Sequence, residues 1–501
     1  MRGVVSRHDL WSCATSWRLS GGAVIVIAFL VVTVFGRPAS AETIEQALAD
    51  AYLINPVLNA ARARLRATDE QVALAKSGLR PFVSATGDTA FQHTDNEIKN
   101  ASPAAVAAGL ASDNPFQFPK GTSYPRGWSV QLTQPLFEGF QNLNAIRQAK
   151  SQVQTAREAL RTIEQTVLLD AATAYVNVVR DTAVVRLREN DVTVLTEQLK
   201  ATKDRFDVGE VTRTDVAQAE ARRAESLATL AAAQANLKTS RAAYEQIIGH
   251  PPGNLVTPPS IRHLLPSDIN EAMTLGDGEN PSILAVIYTE EASLYAVQQI
   301  MGELLPVVTL EAQYQERFGF LNSPDVAGDP SLEKEATTTV LGRLNVPLYQ
   351  GGGVSARVRQ AKETNNQLKK EVEDARLRVH ADVIANWGIL QSSGPAITSA
   401  QAAVSANKIA LTGTREEEKV GQRTTLDVLD AQRELLNSQI GLVTSLRDRI
   451  VAEYSLYAAI GRMDAQTLGL PVPYYDPIEH YDIVKNKWMG LRPPPPPAPD
   501  E

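Results

Sequence analysis

Two aspartates three residues apart, Asp427 and Asp430, follow the stretch Lys419-Val420-Gly421-Gln422-Arg423-Thr424. On a helix that spacing puts both carboxylates on one face. Such a pair can attract cations or hold a proton if something brings it into a confined place. A simpler role is also open: acidic groups favour the positive end of a helix. That role accounts for Asp215 in a related stretch and could account for Asp427, but Asp430 lies deeper and gains less from it. No G-x-S-x-G, H-E-x-x-H or Walker A pattern is present, so hydrolysis, zinc chemistry and nucleotide use have no visible carrier and no cofactor is implied. His93, His250 and His380 are scattered and read as solvent or packing residues.

The related stretch shows how these residues are positioned. VGEVTRTDV at 208–216 recurs as VGQRTTLDV at 420–428, so that Val208-Gly209 matches Val420-Gly421 at an offset of 212. Pro135-Leu136, Gly139, Arg147-Gln148-Ala149-Lys150 and Ile248-Gly249 all recur at that offset. Upstream, Asn55-Pro56 matches Asn280-Pro281 and Pro81 matches Pro306, at 225. The chain is therefore a duplication, and its first copy carries 13 extra residues between Pro81 and Pro135. The Asn-, Ala-, Ser-, Gly- and Pro-rich segment 94–124 is the place for that excess, as an exposed loop. Gly351-Gly352-Gly353 stands where a phosphate loop could stand, but the first copy has Gly139-Phe140-Gln141 there, so a structural bend is the better reading.

Three arginines, an apolar run from Gly21 to Phe35 and the small residues Ala39-Ser40-Ala41 read as a secretory signal cleaved after Ala41. A retained anchor is the alternative, but as a helix the run reaches only roughly 22 Å against a hydrocarbon core of about 30 Å. Removing residues 1–41, with four Arg and one Asp, takes the net charge from −8 to −11. That balance argues against a nucleic-acid partner. The only cysteine, Cys13, leaves with the signal, so the mature chain has no disulfide or thiolate available.

Each repeat reads as short helix, strand, loop, strand, long helix, turn, helix. Residues 42–265 form the first repeat, 266–469 the second, and 470–501 a Pro-rich tail expected to be disordered. After Gly139 a proline-free run rich in Ala, Gln, Glu, Arg and Leu reaches about Asp207, a helix on the order of 100 Å that suits a coiled coil. The helix after the turn is roughly 55 Å and the one before the first strand about 35 Å, so end to end they nearly match the long one. The second copy gives helices at 281–302, 354–419 and 424–460 and strands at 305–317 and 337–349.

The strands alternate. Val308, Leu310, Ala312 and Tyr314 oppose Thr309, Glu311, Gln313 and Gln315; Val340, Leu344 and Val346 oppose Thr339, Arg343 and Asn345; Trp128, Val130 and Leu132 oppose Ser129, Gln131 and Thr133. A barrel in lipid with a wet lumen needs this pattern. A soluble sheet with one solvated face shows it equally. A strand set of this size cannot close around a lumen alone, so a barrel would need several chains.

This order, together with QPLFEGF and VPLYQGG at the strand-to-helix junctions, RFDVGEVTRTDV and EEKVGQRTTLDVLDAQ at the helix tips and the duplicated INP/ENP starts, resembles the TolC family of outer membrane efflux proteins. The resemblance covers about 43–469. It implies a mainly α chain with a small β part, whose homotrimer forms a twelve-strand outer-membrane barrel continued by a periplasmic helical tunnel. It further implies docking to a periplasmic adaptor (membrane-fusion) protein and an inner-membrane RND or ABC transporter, in drug efflux or type I secretion. Val208, Gly209, Val420 and Gly421 become turns at the tunnel tip that contact the adaptor. Asp427 and Asp430 become acidic rings at the periplasmic constriction. Thr214, Asp215 and Arg423 match the family's latch between neighbouring coiled coils, whereas Glu418 stands where relatives can have a latch tyrosine. The rival reading is a soluble periplasmic coiled-coil spacer without a pore; an export-coupled hydrolase lacks a nucleophile constellation.

Overall fold

A computed structural model describes residues 42–94, 121–319 and 334–494. The segment assigned to the inserted loop falls largely outside these, as does Ala41. The chain folds as two copies of one unit. The first runs α1 (Ile44–Ile54), α2 (Pro56–Ser77), β1 (Phe82–Thr89), the small strands β2 (Gln92–Thr94) and β3 (Gly121–Ser123), β4 (Arg126–Glu138), α3 (Gln141–Asp207) and α4 (Arg213–Ile248). The second runs α5 (Ile269–Glu279), α6 (Pro281–Gly302), β5 (Val307–Phe318), β6 (Lys334–Asn345), α7 (Gly353–Lys419) and α8 (Thr425–Ala459). A last helix, α9, spans Glu479–Val484.

The duplicated Asn-Pro starts have a common physical reason. Asn55 accepts the Val57 N–H at 2.9 Å through its side-chain oxygen and donates its amide to the Ile247 carbonyl at 2.8 Å. Asn280 does the same with Ser282 N–H (2.9 Å) and the Ala459 carbonyl (2.8 Å). Each asparagine therefore caps the start of one helix and the end of another, satisfying groups that helix termini leave orphaned. Proline follows at the first helical position, where its missing N–H costs nothing. The result is α2 set end to end with α4, and α6 with α8. Gly461 permits the second splice: it takes φ +91°, and an added Cβ would lie 2.6 Å from the Asn280 Cα. The rods beside them, α3 and α7, are 67 residues each and unbroken, about 100 Å long. Pro395 lies inside α7 and removes one of its ladder hydrogen bonds.

The main core sits midway along the rods, where the helix ends converge. Tyr175, Tyr244, Tyr457, Leu48, Leu168, Ile248, Ile283, Leu456 and Ile460 are fully buried there. Glu42, expected as the first mature residue, is fastened to this level. Its backbone N–H donates to the Asn254 carbonyl at 2.9 Å, and its carboxylate accepts from the Tyr244 hydroxyl and from Gly253 N–H at 3.2 Å. Burial pushes the neighbouring Tyr175 hydroxyl up to about 12, so it stays a donor at any physiological pH.

Beyond the helices, β1, β4, β5 and β6 form one antiparallel sheet in that order. Register pairs like with like: Leu132 faces Ala312 and Ala312 faces Val340 on one side, while Gln131 faces Gln313 and Gln313 faces Thr339 on the other. The alternation read from the sequence is thus a two-faced sheet. The apolar face ends in a belt where Trp128 packs on Tyr314 (5.2 Å between centroids) and donates to Glu316 at 2.9 Å, with Lys334 ion-paired to Glu316. Pro135 is accommodated by a bulge at Leu136. The last strand is Lys334–Asn345, not 337–349: Pro347 cannot extend the ladder, and the chain leaves the sheet before it.

Two expectations are corrected here. Helices α1 and α5 precede the Asn-Pro starts and were not read from the sequence. The tail from 470 is not disordered as far as 494: it folds back on α2, through His480 to Asp69 and Arg80 to Trp488. Residues 495–501 lie outside the described residues.

Candidate functional site

The two tips are built alike. Gly209 and Gly421 take φ of +83° and +77° just after α3 and α7, the left-handed conformation that lets a helix turn back. Thr212 and Thr424 then cap α4 and α8. The Thr212 hydroxyl accepts from Asp215 N–H and the Asp215 carboxylate accepts from Thr212 N–H at 2.8 Å; Thr424 and Asp427 repeat this at 2.9 Å. Both are reciprocal capping boxes. Hydrogen bonds from the Thr212 hydroxyl and N–H hold the Asp215 carboxyl below its usual value, and those from the Thr424 N–H and hydroxyl do so for Asp427. The helix-terminus role proposed for Asp215 and Asp427 is therefore real in the chain.

Asp430 has a different environment. It lies one turn deeper and accepts from the Arg222 guanidinium on α4 at 2.8 Å, with Arg433 at 3.8 Å. Position 218 of the first copy is Gln, so the acidic group belongs to the second tip alone. Arg222 bridges the two hairpins, α3–α4 and α7–α8. A second bridge lies nearer the turns: Arg205 of α3 donates to Glu418 of α7 at 3.1 Å, and Thr425 donates to the same oxygen at 3.1 Å. The Glu418 side chain is only 11% exposed and Arg205 also reaches Glu210 at 3.3 Å. Glu418, singled out as a departure, thus has a cationic partner instead of the contact a tyrosine would make. Neither Arg205 nor Arg222 was singled out from the sequence.

Arg423 stands at the second tip, just before the Thr424 cap. Its guanidinium donates to Glu417 at 2.9 Å within its own tip, and among the described residues it makes no ion pair with Asp215. On the opposite hairpin Thr214 is exposed and Asp215 half-buried, and Val208 and Val420 are each 71% exposed at the turns. Near the tips the described residues of one chain join its hairpins by Arg205–Glu418 and Arg222–Asp430, and farther up Arg447 of α8 donates to Asn177 of α3 at 2.9 Å; Arg423 makes none of these links. The described residues hold no cluster of three or more groups placed to bind a metal ion, and no helix long and apolar enough to cross a membrane.

Comparison with known proteins agrees with this architecture. Outer membrane efflux protein BepC of Brucella suis is 38% identical over 474 residues, covering 94% of this chain and 96% of that protein. Outer membrane protein TolC of Escherichia coli is 24% identical over 449 residues, 88% of this chain and 87% of its own. The crystal structure of the Campylobacter jejuni CmeC outer membrane channel superposes with a TM-score of 0.72 at 15% identity, over 88% of this chain and 89% of that one. Residues 47–250 and 277–462, one span per repeat, match the outer membrane efflux protein family. The chain belongs to the outer membrane efflux protein family, the TolC family of channels.

Proposed function

We propose that the protein is one third of a homotrimeric channel-tunnel in the outer membrane, the exit duct of a tripartite efflux pump or a type I secretion system. The observation that carries this reading is the sheet. It has an apolar face and a polar face, four strands, and two edges, β1 and β6, that pair with nothing among the described residues. Bare edges cannot remain so in lipid, where every backbone group needs a partner. Alternating directions make β6 antiparallel to the β1 of a second copy, so a closed ring of identical chains satisfies both edges. Three copies give twelve strands, enough for a lumen. The polar face then lines the lumen and the apolar face meets lipid.

The tips form the periplasmic end, where an adaptor protein and an inner-membrane RND or ABC transporter dock and supply the energy. Asp427 and Asp430 of three chains ring that constriction. The Arg205–Glu418 and Arg222–Asp430 pairs hold the hairpins of each chain together. Arg423 remains available to engage Thr214 and Asp215 of a neighbour by exchanging its Glu417 contact. In this arrangement opening separates hairpins, and each ion pair opposes it.

The test is edge-to-edge cross-linking. The mature chain lacks cysteine, so pairs such as Ala85→Cys on β1 with Val340→Cys on β6, scanned over neighbouring registers, report only the designed contact. Oxidation should give covalent trimers on denaturing gels. Monomers alone at every register, from a chain with full helix and strand content, would refute the assembly.

A further inference from the structure

The segment after the second repeat climbs along α2 towards the barrel. Tyr475 N–H donates to the Tyr52 hydroxyl at 3.0 Å, and the Arg62 guanidinium lies against both rings, 4.4 Å from Tyr52 and 5.4 Å from Tyr475. His480 meets Asp69 at 3.0 Å with both side chains buried. Lys76 donates to Asn486 at 2.7 Å, and Arg80 donates to the Lys487 carbonyl at 2.8 Å. The α2 contacts at 62, 69 and 76 recur every seven residues, one stripe of the helix. At its end the Trp488 ring stacks on the Arg80 guanidinium at 4.5 Å.

Arg80 is two residues ahead of β1, so Trp488 is fixed at the base of the barrel. The chain there is apolar and bare: Trp488 is 67% exposed, Met489 83% and Leu491 fully exposed. Leu79 and Val83, at the foot of the sheet on either side of Arg80, are exposed as well. The flank of this patch is basic. Lys76, Lys150, Lys485 and Arg80 stand close enough that, after burial, their mutual repulsion holds the Lys76 ammonium below its ordinary value. Asp482 answers only Lys485.

We propose that Trp488 to Leu491 is an interfacial anchor that inserts into the periplasmic leaflet of the outer membrane beside the barrel, with Lys76, Arg80 and Lys487 facing phospholipid phosphates. Tryptophan with a cationic rim is the composition that membrane interfaces select. The buried Asp69–His480 pair ties this anchor to α2, so the tail fixes the depth at which the tunnel meets the bilayer. This rests on the outer-membrane reading of the sheet.

The experiment uses the full chain reconstituted in phosphatidylglycerol–phosphatidylethanolamine vesicles carrying brominated acyl chains. The mature chain has three tryptophans, Trp128, Trp387 and Trp488. With Trp128→Phe and Trp387→Phe, the remaining Trp488 should emit blue-shifted light that bromolipid quenches and aqueous acrylamide does not. Replacing Lys76 and Lys487 by Gln should weaken the bromolipid quenching. A companion with Trp387→Phe and Trp488→Phe reports Trp128 in the barrel belt. If Trp128 is quenched by lipid and Trp488 is quenched only by acrylamide, the tail is a solvated end and the anchor is wrong. If Trp488 is quenched by neither, protein covers it and the anchor is equally wrong. If neither tryptophan responds to lipid, the membrane reading itself fails.

Discussion

At the scale of single residues, the tip is governed by which acid has which partner. Asp427 is spent on its cap, whereas Asp430 is held by Arg222 across the hairpin gap. Replacing both aspartates by Ala should abolish block by divalent cations added from the periplasmic side in planar bilayers. Arg222→Ala should do the reverse for block, because it frees the Asp430 charge, and should also raise open probability by removing an interhairpin pair. Wild-type block in the double Asp variant would make these aspartates ordinary helix-end residues. Exposed ion pairs contribute about 0–1 kcal/mol. Arg205→Ala is expected to act more strongly than Arg222→Ala on opening, since it strands the mostly buried Glu418 carboxylate. The caps add a pH dependence. Asp215 and Asp427 have folded values below the unfolded one near 4. Their contribution is complete above about pH 4 and is lost as pH falls through the lower folded values. Hydrogen exchange at 208–216 and 420–428, corrected for intrinsic rates, should therefore show tips that fray at pH 3 and not at pH 6. Equal protection at the two pH values would contradict this.

At the scale of elements, the asparagine splices join the jointed rods. Asn55→Ala or Asn280→Ala leaves an N–H and a carbonyl unanswered at a buried junction, a cost of about 1–3 kcal/mol per site. The heat-induced loss of helical ellipticity should move to lower temperature for each; an unchanged midpoint would mean water serves the junction as well. In the sheet, Leu132→Arg places a charge on the apolar face, which in the proposed barrel would cost about 2–4 kcal/mol at mid-bilayer, while Gln131→Arg lies on the opposite face. Only the first should reduce the yield of denaturant-resistant trimer. The sequence revealed these elements because each is written locally: period-two strands, long Ala-rich helices, Gly and Thr at the turns, and a repeat that states everything twice. It did not reveal Arg205–Glu418 or Arg222–Asp430, because residues 213 and 208 positions apart meet only once the rotational phase of two helices is fixed. The tail was missed for a related reason. Its composition is Pro-rich, and the contacts that order it are single residues reaching α2 some 411 positions away.

At the scale of the whole molecule, the proposed assembly rests on the sheet edges β1 and β6, which pair with nothing among the described residues. The purified protein should run in detergent at the mass of three chains, and a monodisperse monomer with full secondary structure would remove the basis for a lumen. A duct closed through those edges would be a shared product of separate polypeptides. In a cell expressing intact and gate-defective copies equally, and mixing them freely, only about one ring in eight would be wholly intact. A tip substitution that locks one subunit should therefore behave as genetically dominant, its effect growing more steeply than gene dosage. A substitution that prevents β1 or β6 from pairing should be recessive, because such a chain never enters a ring.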